Sequence, residues 1–175
     1  MFDLAELLEE YDRARAYTDT LWQDLPEEEI RWRPRPAFSP IGWHLGHQAA
    51  VVHFMIRNLT AAEPSPDPDL EPIMDSANPE TDRGDLASLD RIVAYRDAVA
   101  RRTHVRIGDI DQGRVGAPNQ LHVVAGPLLV ALINHEYQHD QWISEVRHGD
   151  LGHALPPRPV SPRLSEVDGY TVMSA

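Results

Sequence analysis

The chemistry open to this sequence is concentrated in histidine. The chain has nine histidines, and five of them fall in two tight groups. The first group is Trp43-His44-Leu45-Gly46-His47, with His53 a little further on; the second is His135-Glu136-Tyr137-Gln138-His139. Residues four apart on a helix lie on one face, one turn above the other. His135 and His139 can therefore address a single ion. Leu128, Leu132, Ile143 and Val146 share that face, so both imidazoles are directed into a core. A buried imidazole costs free energy unless it is hydrogen-bonded or bound to a metal. The plain alternative is a pair of histidines hydrogen-bonded within a helix interface. Against it, a second helical stretch carries Ile41, His44, His47 and Val51 on its inner stripe. Two facing helices that supply two ligands and one are a usual way for a bundle to build a metal site. The third ligand is then His44 or His47. Histidine must be neutral to ligate, so metal affinity should fall as the pH drops from about 7 to about 5.

His-Glu-x-x-His also matches the metalloprotease helix in which the glutamate is a general base. That chemistry needs a third ligand downstream. The position six residues beyond His139 is Glu145, and Glu166 lies in a loop-like tail. No strand pattern accompanies the helix, so a peptidase is the weaker reading. Cysteine is absent, which removes disulfides, thiolate metal sites and a cysteine nucleophile. All sixteen basic residues are arginine; without lysine, Schiff-base and P-loop chemistry are closed. The net charge of −12 argues against nucleic acid, which calls for a basic patch. Arg31, Arg33 and Arg35 form the densest basic cluster, and Pro34 and Pro36 interrupt it. No apolar run reaches the roughly 18 residues that would span a bilayer. The N-terminal MFDLAELLEEYD is acidic and amphipathic, unlike a signal peptide. A cytoplasmic protein with no membrane partner is expected.

Four helical stretches must position the histidines. The first covers about 3–24, with Leu4, Leu7, Leu8, Tyr11, Ala14, Thr18, Leu21 and Leu25 in one stripe and Glu6, Glu9, Glu10, Arg13 and Asp19 opposite. Residues 25–40 carry four prolines and read as an irregular connection. The second helix begins near Ser39-Pro40 and runs to about Asn58. Residues 61–84 are acidic and proline-rich, either a long crossover or a functional lid. The third helix covers about 85–107, with Leu86, Leu89, Val93, Arg96, Ala100 and Thr103 inward. Residues 108–126 read as a loop with a short extended piece at His122-Val123-Val124. The fourth helix runs from about Pro127 to His148, with Gly149 at its C-terminal cap. This predicts an all-α four-helix bundle over residues 1–155 and a proline-rich, irregular tail over 156–175. Trp22, Trp32 and Trp142 offer apolar area, one of the grounds on which a homodimer is expected; the other is that bundles of this type often pair.

Ser39-Pro-Ile-Gly-Trp-His-Leu-Gly-His47, followed by His135-Glu-Tyr-Gln-His-Asp-Gln141, resembles the DinB/YfiT-like superfamily. The likeness is greatest to the DinB-type N-terminal domain of the EgtB group of ergothioneine synthases, and it would cover about 2–148. It implies a four-helix bundle with a long crossover between helices two and three. It also implies one histidine ligand from helix two and two from helix four. The last histidine of Trp-His-x-x-His is the matching position, giving His47, His135 and His139 as the metal set, with His44 as a competitor and His53 facing away. The ion would be a divalent transition metal; three imidazoles suit zinc, nickel, iron and copper alike. Glu136 and Gln141 would contact the ligating rings or the substrate. The EgtB group carries a second, larger domain, so ergothioneine synthesis is not expected of this chain alone. Other superfamily members resemble transferases that use a low-molecular-weight thiol such as bacillithiol or mycothiol. The resemblance therefore implies either such a small-molecule transferase or a metal-dependent stress or binding protein without turnover.

Overall fold

The helices form where apolar stripes and caps coincide. The structure, a computed structural model, describes residues 2–34, 38–59, 63–76 and 85–174. Helix α1 spans Leu4–Trp22, and Asp3 caps it by accepting from the Glu6 backbone N–H at 3.0 Å. Its stripe of Leu4, Leu7, Tyr11, Ala14, Thr18 and Leu21 is buried. Glu10, expected on the outer face, is buried as well, because Ser161 of the tail donates to it at 2.6 Å. The proline-rich connection contains a short helix, α2, at Glu27–Arg31.

Helix α3 spans Ile41–Leu59 and is buried on nearly every side through its first half. It packs against α2, α4, α5 and α6, which explains why its sequence is apolar beyond one stripe. The acidic connection that follows holds the short helix α4, Glu71–Met74, which packs on α3. Much of the expected 61–84 loop, and Arg35 with Pro36, lie outside the described residues. Arg31 donates to the carbonyls of Leu86 and Ala87, and Arg33 to that of Phe38. These arginines fasten chain to chain rather than forming a basic surface.

Helix α5 spans Leu89–Asp111, displaced toward the C-terminus from its expected limits. Gly108 does not end it. The cost of a helical glycine, about 1 kcal/mol, is outweighed by burial of Ile107 and Ile110 on either side. Helix α6 spans Pro118–Ser144, so His122-Val123-Val124 is helical and not extended. Val123 and Val124 are exposed, which is why no stripe marks this part in the sequence. Pro127 sits inside the helix, where it removes one backbone hydrogen bond. Gly126 beside it has a packing reason: a Cβ there would run into the ring of Phe2. A π-helical turn, Glu145–Asp150, follows α6 directly, so Gly149 is not a cap and the positive φ falls at Gly152. Arg147 in this turn donates to both carboxylate oxygens of Asp24, at 2.5 and 2.8 Å, and ties the end of α6 to the end of α1.

Among the described residues, the four long helices α1, α3, α5 and α6 make the body of the fold, as the sequence predicts. The tail is more ordered than expected. β1, Leu164–Val167, and β2, Tyr170–Met173, form an antiparallel two-stranded sheet. Asp168 and Gly169 both have positive φ, as the two-residue turn of a tight hairpin requires. Asn134 of α6 clamps the hairpin by bonding both the N–H and the carbonyl of Met173. Of these tryptophans, Trp22 is buried, Trp142 packs edge-on against His139, and Trp32 is exposed. No helix among the described residues is long and apolar enough to cross a membrane.

Candidate metal centre

The histidines meet where the first turns of α3 face the last turns of α6. One ring nitrogen from each of His47, His135 and His139 lies within 4.8 Å of the other two. The ring centroids are 4.5 Å apart for His135 and His139, 4.9 Å for His47 and His139, and 5.3 Å for His47 and His135. His47 and His139 are buried and His135 is partly so. The i,i+4 spacing on α6 and the facing turn of α3 thus deliver the two-plus-one arrangement.

Each ring is held by a specific neighbour. The Nδ1 of His47 donates to the backbone carbonyl of Met74 at 2.6 Å. That bond puts the proton on Nδ1 and the lone pair on Nε2. Trp43 stacks on His47 with ring centroids 4.6 Å apart and planes inclined by 10°. Its indole N–H is directed to the carbonyl of Ile73 at 3.0 Å. Helix α4, which the sequence showed only as part of a loop, therefore supplies two carbonyls that orient the centre. His44 lies 2.8 Å from His139, Nδ1 to Nδ1.

The donor set suits a metal ion. Burial, reinforced by His47, holds His135 down to about 4. Burial, with His44, His135 and His47 around it, holds His139 lower still. Both rings are neutral at physiological pH, which is the form that ligates. The Nδ1 of His135 is buried with no hydrogen-bond partner among the described residues. Two neutral buried imidazoles, one with an orphaned nitrogen, are costly without a cation to accept their lone pairs. With three ligands from the protein, a further position stays open for a small molecule. Beside His47 lies a cavity of about 310 Å³, walled by Ala50, Val51 and Phe54 on one side and Glu71 and Asp75 on the other.

The DinB superfamily model matches residues 10–143, from α1 to near the end of α6. The chain belongs to the DinB superfamily. All three histidines fall within the matched region of this DinB-like chain. No curated protein matches it.

Two expected contributors are elsewhere. Glu136 is buried but is not one of the converging residues, and the charges of Arg96 and Arg15, from α5 and α1, act on it. Burial raises its carboxyl to about 7, with the two arginines opposing. Gln141 donates to Glu145 and accepts from Arg158, both at 3.3 Å, along a separate cleft of about 570 Å³. Glu166 stands in β1 and pairs with Arg158. The peptidase reading gains nothing from the geometry: neither Glu136 nor Glu166 joins the converging set, and Glu166 is an exposed strand residue. His53 is buried outside the histidine set, and burial lowers it too.

A polar layer beside the centre was missed in the sequence. Asp140 accepts from Thr18 at 2.6 Å and from Gln48 at 3.4 Å, and Gln48 also donates to the backbone carbonyl of Glu136 at 3.1 Å. All four side chains are buried. The layer joins α1, α3 and α6 at the turn that carries both α6 histidines. Its signal was available: Glu136 and Asp140 repeat the four-residue spacing of His135 and His139, one position on.

Proposed function

We propose that this DinB-like chain is a metal-dependent transferase acting on a low-molecular-weight thiol, with His47, His135 and His139 holding a divalent transition metal such as zinc, nickel or iron. The observation that carries this reading is the three-imidazole set beside the Ala50–Val51–Phe54 cavity; three protein ligands would leave a coordination position for substrate. Cysteine is absent, so the sulfur nucleophile must arrive with the substrate. A bound divalent ion would lower the pKa of that thiol and hold the thiolate. The chain's residues do the rest. The Met74 carbonyl orients His47, Trp43 covers it, and Ala50, Val51 and Phe54 give the cavity an apolar wall for the substrate. In the transfer, a sulfur–carbon bond forms, the electrophile's leaving group departs with its electron pair, and the thiol proton passes to solvent. Such a reaction fits the cytoplasm, where small thiols are kept reduced.

One observation favours a second reading, a metal-dependent binding protein without turnover. Neither buried acid of α6 joins the converging histidines, and Asp140 is taken up by Thr18 of α1 and Gln48 of α3, so neither serves the histidines as a general base. Incubating the zinc-, nickel- and iron-loaded protein with cysteine or glutathione and a chromogenic electrophile separates the two. Metal-dependent thioether formation that is lost in His135→Ala supports the transferase. Stoichiometric thiol binding without product supports the binding protein.

A further inference from the structure

His44 lies against the three-histidine set without joining it. It is buried, it lies one turn before His47 on α3, and it is not part of the set whose ring nitrogens converge. Its Nδ1 is instead 2.8 Å from the Nδ1 of His139. Trp43 and Trp142 hold its ring, with centroids 5.4 and 5.8 Å away. Two Nδ1 atoms at that separation share one proton, so one ring must donate and the other accept. Only one of the two arrangements is compatible with a metal at His139. If His44 donated, the proton of neutral His139 would sit on Nε2 and block it. If His139 donates, its lone pair is on Nε2, available to an ion.

We propose that His44 is a positioning residue that accepts the Nδ1–H of His139 and so fixes this ligand in its metal-binding tautomer. The proposal rests on the three-histidine reading of the site. It gives His139 the same kind of support that the Met74 carbonyl gives His47. Such partners orient a ligating ring and raise its basicity, and removing one typically weakens metal binding by about 10–100-fold. It also accounts for a Trp-His-x-x-His segment in which both histidines face α6 but only the second converges with the α6 pair.

Zinc affinity, measured by competition with a chromogenic chelator, tests this on the full chain. His44→Leu keeps bulk and removes the acceptor; His44→Asn places an amide oxygen near the Nδ1 position. The expected result is zinc binding weakened by about 10–100-fold in His44→Leu, with one ion per chain retained, and recovery toward wild type in His44→Asn. Nitrogen NMR of the zinc-loaded, histidine-labelled wild type should show His139 protonated at Nδ1. Wild-type affinity in His44→Leu, no recovery in His44→Asn, or a His139 proton on Nε2 would overturn the proposal. The NMR result decides alone should His44→Leu fail to fold. Undiminished zinc binding in His135→Ala would instead overturn the underlying three-histidine reading.

Discussion

Gly46 of α3 leaves the space that the side chain of Met74 fills: a Cβ at Gly46 would collide with the Met74 sulfur. The same Met74 presents its carbonyl to His47. A packing detail is thereby coupled to the orientation of a metal ligand. Met74 is fully buried and cannot swing into solvent. Gly46→Ala is therefore expected to displace Met74 and with it α4 on α3. Overpacking of this kind costs about 1–3 kcal/mol. The variant should be less stable in urea and should also bind zinc more weakly, though no ligand is changed. Lowered stability with unaltered zinc affinity would show that α4 does not orient His47.

Glu136 should make stability depend on pH in a direction opposite to the usual carboxylate. Its folded value is raised to about 7 by burial. Below the ordinary glutamate value both folded and unfolded chains hold the proton, and the stability is fully present. As pH rises toward 7 the unfolded chain releases its proton first, so stability is lost. Glu136→Gln removes that loss. It should stabilise the protein by about 1–3 kcal/mol at pH 8 and change little at pH 4. Urea melts at the two pH values check this, and an equal effect at both would contradict it.

The ligand histidines have the contrary sign. His135 is lowered to about 4 and His139 further. The metal-free protein should be fully stabilised above about pH 6.5, the ordinary histidine value, and lose stability as pH falls toward 4. For the same reason, proton competition at these two rings is shifted below the window that ordinary imidazoles imply. Calorimetric zinc titrations at pH 7.5, 6 and 5 should show a shallower decline over the first step than over the second. A steep loss already complete at pH 6 would contradict the burial argument.

Alanine substitution separates the site from its neighbours. His47→Ala, His135→Ala and His139→Ala should each abolish stoichiometric metal binding. His53→Ala and His148→Ala should retain it; His53 lies outside the set, and His148 bonds to the carbonyl of His153. Loss of binding in either control would mean that the metal sits elsewhere.

The four long helices and the shared face of His135 and His139 were legible because each rests on a local rule, whereas the choice of His47 over His44 rests on the DinB resemblance. Apolar spacing marks α1, and the four-residue repeat sets two rings on one face. What the sequence concealed depends on long-range packing. Burial carries α5 through Gly108, and α6 continues through Pro127 although neither residue favours a helix. Glu136 reads as a partner of the ligating rings or the substrate, whereas it is buried outside the histidine set, where Arg15 and Arg96 on other helices act on its charge. The tail hairpin was a missed local signal. Asp168-Gly169 between Leu164–Val167 and Tyr170–Met173 is a strong short-range turn marker, obscured by the prolines before it.

The central claim is that three imidazoles, one from α3 and two from α6, hold a divalent ion with a position left open. X-ray absorption spectroscopy of the zinc-loaded protein tests it most directly. The account predicts three imidazole nitrogens at about 2.0–2.1 Å and a remaining light ligand that a small thiol replaces with sulfur. A fourth imidazole in the shell, or a shell of carboxylate oxygens without imidazole scattering, would contradict it.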